Sequence, residues 1–393
     1  MHVVVLGAGY AGLVLTRLLE REVPSSADLT LVDESPAHLV QHELHRVIRR
    51  PALAAEISIP LEEVLERATV RVARVESVDT DERVVHLDDG TLEYDVGAVC
   101  LGAQTAFYGL EGVREHAIPL KSLDDALEVR RTVLERVTSS EGRARIVVGG
   151  AGLSGVQVAG ELAELVDEEE LDAAVVLAER FSQVAPNFPP AFQRAVAAAL
   201  EGRGVDVRTD AVIVGADERH VELEGEPDLA YDAFVWTGGI RGRSALAGER
   251  PVVRSDLRLT ARTFALGDAA RVVDGDGQAV PASAQSAVRE ARTTAENVSR
   301  LVSHDLAGDA VFEPRLEQFT FDTPGWLVSV GDDAVAQVGP SVVTGAAATA
   351  LKATVGVGYL SSVGAISNAL DLVSSEATIA SRSVRERAGR RRR

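Results

Sequence analysis

Cysteine, lysine and methionine are nearly missing from this chain, and each shortage excludes something. One cysteine, Cys100, in 393 residues rules out an intramolecular disulfide and any dithiol redox pair within the chain. Lysine occurs twice, at Lys121 and Lys352; every other basic residue is arginine. Aromatic residues make up 4%. Positive charge is also short: 40 Lys+Arg against 60 Asp+Glu leave a net −20, which excludes a nucleic-acid binder unless basic residues are segregated. They are segregated only at the end, in Arg382, Arg385, Arg387 and Arg390 to Arg393. No secretory leader is expected, since Met1 runs straight into an apolar strand and a glycine turn. An acid-rich, lysine-poor surface suits a salt-rich cytoplasm, where self-repulsion is screened; a GC-rich genome explains only the arginine half of that pattern.

What is present is enough for a large core. Hydrophobic residues make up 46%, so disorder is excluded for most of the chain, and the length allows two or three domains. Residues 2–6 are a short β-branched apolar run, as in a parallel strand buried on both faces. Gly7, Gly9 and Gly12 follow in Gly-x-Gly-x-x-Gly spacing, then an apolar helical stretch, then a strand ending on Asp33, 21 residues after the third glycine. The same order recurs at Gly150, Gly152 and Gly155, with a strand ending on Glu179. One such fingerprint is weak. Two, each in strand–turn–helix–strand context with its acid, define paired dinucleotide-binding units. The first glycine permits the turn, the second lets backbone approach a pyrophosphate, and the third lets helix pack on strand. The acid accepts from a ribose 2′-hydroxyl. Residues 94–102 and 231–238 close the two units with matching Tyr-Asp strands, the second ending at Gly238. Between the units, 70–78 and 83–87 read as small antiparallel strands.

His38, His42 and His45 stand at i, i+4 and i+7, so on a helix they would share one face and could offer imidazoles to zinc. Their segment has another explanation, and no metal is assigned. Cys100 and Trp236 fall in apolar strands and read as core.

With the doubled fingerprint, both closing strands, and Gly267-Asp268 after residues 263–266, the chain resembles the two-dinucleotide flavoprotein superfamily. Finer motifs are similar to type II NADH:quinone dehydrogenases. Residues 38–44 resemble their His-Leu-Phe-Gln-Pro-Leu-Leu, 119–126 their Pro-Leu-Lys-Thr-Leu-Glu-Asp-Ala, and Ala284-Gln285-Ser286-Ala287 their Ala-Gln-x-Ala-x-Gln beside flavin and quinone. The likeness runs from residue 2 to about 330.

The resemblance implies an α/β fold of two Rossmann-like domains: an FAD domain in two pieces, 1–113 and 253–330, an NAD(H) domain of 114–252 inserted between them, and a C-terminal extension of 331–393. It implies that the N-terminal glycine loop and Asp268 hold FAD, the second loop holds NADH, and a hydride passes to the flavin and electrons onward to a quinone. Ala284, Gln285 and the retained Glu161 are then the residues of the reacting centre. Three positions depart from the pattern: Arg289 replaces the last Gln, Gln157 replaces a Glu common after the second glycine loop, and Cys100-Leu101-Gly102 replaces Ala-Thr-Gly. These departures keep a second reading open, a soluble flavoprotein reductase delivering electrons to a ferredoxin-like protein or to oxygen; Gln157 alone supports a third, an NAD-binding regulator. Glu179 favours NADH over NADPH by repelling a 2′-phosphate, despite Arg180 beside it.

Residues beyond about 340 are rich in Ala, Gly, Ser and Val and lack the hydrophobicity of a spanning helix. A monotopic surface contact, with the terminal arginines facing anionic headgroups, and a soluble helix with a basic tail both fit. The expected location is the cytoplasm, with peripheral contact at the inner face of the cell membrane as the variant, and a homodimer is open.

Overall fold

A computed structural model describes residues 1–308, 312–323 and 325–365. The basic tail lies outside the described residues.

Two parallel sheets carry the architecture. Strand His2–Leu6 sits at the centre of the first, between Asp28–Asp33 and Val96–Val99, with Thr69–Val72 and Thr263–Ala265 at the edges. All four pairings are parallel, and the central strands are buried, as their unbroken apolar runs require. Thr263–Ala265 comes from beyond the second sheet in sequence, so this unit is built from two separate stretches of chain. The second sheet orders Asp206–Arg208, Ala173–Ala178, Ala144–Gly149 and Ala233–Trp236, again all parallel. An antiparallel ribbon, Ala103–Thr105 against Ile240–Gly242, joins the exits of the two units.

One element differs from the sequence reading. Residues 70–78 are not one antiparallel strand: Thr69–Val72 joins the first parallel sheet, and only Val75–Asp79 enters the antiparallel meander with Val84–Leu87 and Gly90–Glu93. The break falls where the Ala73 amide turns back to the Asp33 carbonyl.

Helices cover the sheets through small residues. Tyr10–Glu22 lies against the long helix Ala284–Ala307, whose buried face carries Ala287, Ala291, Ala295, Val298 and Leu301. In helix Leu153–Glu168, Gly160 faces the Val330–Gly331 backbone so closely that a Cβ there would lie 2.5 Å from the Gly331 nitrogen. That contact seats a third sheet, Gly325–Val330, Asp333–Val338 and Ser341–Thr344, on the second unit. The turn of its first hairpin falls at residues 331–332, so a boundary after 330 falls between paired strands. Helix Ala346–Ser362 packs on this sheet and brings Lys352 and Tyr359 back to the first unit. No helix among the described residues is long and apolar enough to cross a membrane.

Candidate active site

The two glycine turns solve the same steric problem twice. Gly7 has φ +98° and Gly150 φ +94°, left-handed values that permit the reversal from strand into helix. A Cβ on Gly12 would sit 1.7 Å from the Gly7 carbonyl oxygen, and one on Gly155 1.8 Å from that of Gly150, so the third glycine lets helix meet turn. The middle glycines differ. Neither Gly9 nor Gly152 has a heavy atom within 4 Å of where a Cβ would stand; each opens onto the same cavity. This is the cradle a pyrophosphate needs, beside helix starts whose first turns hold no acid. Gly238 closes the second turn, its Cα 2.8 Å from the position of a Cβ on Gly150.

Each acid braces its own turn. Asp33 accepts from the amides of Ala8, at 2.5 Å, and Ser35, at 2.8 Å. Glu179 accepts from those of Ala151, at 2.6 Å, and Phe181, at 3.0 Å. Burial raises the Asp33 pKa, with both amides opposing. Asp33 lines the cavity; Glu179 is buried behind it, and Arg180 stacks over Phe181.

The cavity measures about 1660 Å³, beyond the roughly 300–1,000 Å³ typical of one small-molecule site and large enough for more than one ligand. Gly7, Gly9, Asp33, Gly152, Gly267, Asp268, Ala284 and Gln285 line it. Gly12, Gly150, Gly155, Gly238, Glu161 and Glu179 support it from outside or lie away from it. Asp268 sits in a turn fixed from below: Arg250 donates to its carbonyl at 2.7 Å, and the Gly267 amide donates to buried Glu290 at 2.6 Å. Ser283 caps helix Ala284–Ala307, which points its N-terminus at the cavity; Gln285 accepts there from Thr323, at 3.3 Å. Arg289 lines the cavity too and donates to the Asp322 carbonyl.

Glu161 is elsewhere. Its carboxylate lies 2.8 Å from Arg49, buried in an ion cluster with Glu164, Glu168 and Asp332, so its geometry is that of a structural pair and not of a group at the reacting centre. Gln157 does reach the cavity and donates to the Ser329 hydroxyl at 3.2 Å, which also meets His45 at 2.7 Å.

The three histidines do not share a helix face. His38 is on strand Ala37–Leu39, His42 in the turn Gln41–Glu43, and His45 opens helix His45–Arg49. Each finds its own partner. His38 donates through Nδ1 to the Ala8 carbonyl at 2.7 Å and accepts at Nε2 from Tyr359, while His42 pairs with the Tyr10 hydroxyl. Beside them Glu43 is buried with Arg46 at 2.7 Å and Lys352 at 3.3 Å. Both lysines of the chain therefore stand at this cavity. Sequence reading missed Tyr10, Glu290 and Lys352, and it saw Glu43 only as a neighbour of the three histidines, although a carboxylate stands there where the resembled motif has leucine.

Parallel sheets with paired glycine turns opening on one cavity define a two-nucleotide redox fold. The chain belongs to the pyridine nucleotide-disulphide oxidoreductase family, whose profile matches residues 1–291. It is 26% identical to the type II NADH:quinone oxidoreductase of Staphylococcus aureus, over 93% of this chain and 96% of the relative. Its fold is similar to that of NDH2 from Plasmodium falciparum, solved with NADH, at TM-score 0.82, 14% identity and 94% and 97% coverage of the two chains. It also resembles a ferredoxin reductase from Rhodopseudomonas palustris, at TM-score 0.70, 19% identity and 86% and 82% coverage. The chemistry in the family's name needs paired thiols, which this chain lacks. Cys100 is buried, and burial pushes its thiol pKa up.

Proposed function

We propose that this protein takes a hydride from NADH onto FAD and passes the electrons to a quinone. One observation carries the reading: both glycine turns, each with its open middle glycine, face a single cavity, so two nucleotides can meet end to end. Gly9, Asp33, Gly267 and Asp268 would hold FAD, and Gly152, with Glu179 behind it, would hold NADH. Flavin supplies the two-electron exchange between a hydride donor and a quinone. The protein's part is to position both partners and to set the local charge. Ala284 and Gln285, at a helix N-terminus, line the same cavity and would contact the acceptor.

The quinone reading is preferred to a ferredoxin-like acceptor because the S. aureus relative matches over nearly its full length, including the C-terminal region that adds Lys352 and Tyr359 to the cavity. An acceptor that partitions into lipid brings the cavity mouth to a membrane surface, and peripheral contact there is part of the proposal. So is the division into a split FAD unit and an inserted NAD(H) unit. Stopped-flow reduction of the FAD-loaded protein by NADH, followed by mixing with a short-chain quinone or with aerated buffer, tests it. Reoxidation much faster with quinone is the expected result; a protein that gains no flavin absorbance on mixing with FAD overturns it.

A further inference from the structure

The exchange NADH + H⁺ + quinone → NAD⁺ + hydroquinone consumes one proton that neither nucleotide carries. Resting on the quinone reading above, the geometry points to Tyr10 as the group that delivers this proton, with His42 recharging it and Glu43 positioning His42.

Tyr10 lines the cavity at the start of the first helix, and its hydroxyl meets two groups of residue 42, the imidazole Nδ1 and the backbone amide, the latter at 3.1 Å. The other imidazole nitrogen, Nε2, lies 3.5 Å from Glu43, and the His42 side chain is 32% exposed, which gives it a route to solvent. Glu43 itself is 2% exposed. Although burial opposes its ionisation, Lys352, Arg46 and His42 hold its carboxyl well below the usual carboxylate range. A carboxylate held in its ionised form orients an imidazole and stabilises its charged form rather than donating a proton itself. Tyr10 has the opposite bias, since burial pushes its pKa upward and keeps the O–H intact at working pH.

The step balances. The Tyr10 O–H bond breaks as an O–H bond forms on a quinone oxygen that has received the electron pair, Nδ1–H of the His42 imidazolium moves to the Tyr10 oxygen, and solvent reprotonates His42 after hydroquinone leaves. Residues 42 and 43 stand where the resembled motif has proline and leucine, neither of which can move a proton, so the relay is a property of this chain.

The charged and titratable groups facing His42 come from several elements: Tyr10 on the first helix, Glu43, His45 and Arg46 on its own segment, His38 on the neighbouring strand, and Lys352 and Tyr359 on the C-terminal helix. Burial, Lys352 and Arg46 lower the His42 pKa, and Glu43 raises it.

The test compares two acceptors on the same FAD-loaded, NADH-reduced protein: a short-chain benzoquinone, which needs protons, and ferricyanide, which takes electrons only. In His42→Gln and Tyr10→Phe the ratio of quinone to ferricyanide rate should fall on the order of 10²-fold. In Glu43→Gln the pH at which quinone reoxidation declines should move down. A second readout needs no turnover: ¹⁵N shifts of the His42 ring in the oxidised protein should titrate at lower pH in Glu43→Gln. An unchanged ratio with an unchanged histidine titration overturns the relay while leaving the quinone reading intact. A wild-type protein that ferricyanide reoxidises and quinone does not overturns both.

Discussion

Arg49 and Glu161 are 112 residues apart in sequence and 2.8 Å apart in space, and neither side chain is more than 3% exposed. The same guanidinium reaches Glu168 at 3.0 Å and also Asp332. One arginine of the first unit thus ties together a helix of the second and the hairpin of the C-terminal sheet.

Arg49→Met should therefore be costly, because it leaves buried carboxylates without their counter-charge. Breaking such a pair costs about 3–5 kcal/mol, whereas an exposed pair contributes under about 1 kcal/mol. Urea denaturation measures the difference. A loss in the lower range would mean that water reaches the cluster.

Glu290 predicts a pH slope. Burial pushes its carboxyl up to about 7, with the Gly267 amide opposing and Asp268 adding to the rise. An acid raised on folding binds its proton more tightly in the native state, so its contribution is fully present below the unfolded value of 4.5 and is lost as pH climbs toward 7. The change is on the order of 3 kcal/mol at 1.36 kcal/mol per unit. Glu290→Gln should flatten the fall in stability between about pH 4.5 and pH 7. If the variant keeps the parent's slope in thermal melts, the carboxyl is not the titrating group.

The glycines separate folding from binding. Gly12→Val places atoms on the Gly7 carbonyl and should yield insoluble protein. Gly9→Val meets no protein atom within 4 Å at its Cβ and should fold, yet lose FAD. Gly152→Val should keep FAD and lose reduction by NADH. Flavin absorbance after desalting distinguishes them, and the reverse pattern for Gly9 and Gly152 would exchange the two nucleotide assignments.

Glu179→Gln exchanges one acceptor oxygen for an amide that cannot accept from Ala151 or Phe181. An unmet buried N–H costs about 1–3 kcal/mol, so NADH use should weaken while discrimination against NADPH narrows by roughly 1–2 kcal/mol. The ratio of kcat/KM values for the two nucleotides reports it. Equal use of NADPH by the parent protein would remove Glu179 from the ribose site.

Local sterics made much of this legible in sequence. A glycine whose Cβ would strike a backbone oxygen within its own turn is marked by spacing alone, and an acid at a strand end finds the neighbouring turn without help from the rest of the chain. Features set by distant partners were not legible. Glu161 looked site-like beside the second turn, and only Arg49 places it in an ion cluster. The histidine spacing presumed one helix, but pairing of Ala37–Leu39 with Ser58–Pro60 holds His38 extended. The expected border after residue 330 falls at a hairpin turn, where Gly331 has φ +57°, and the pairing of the strands on either side is not legible locally.

Tyr359 reaches His38 across 321 positions, so the cavity gains its last wall from the part of the chain the ribosome makes late. Both glycine turns and the Asp268 turn precede residue 308, and the stretch from there to Tyr359 takes about 3–10 s to synthesise at 5–20 residues per second. During that interval the nucleotide cradles can already be formed while the C-terminal helix has yet to dock. Cofactor can therefore meet open cradles before the C-terminal helix adds its wall to the cavity.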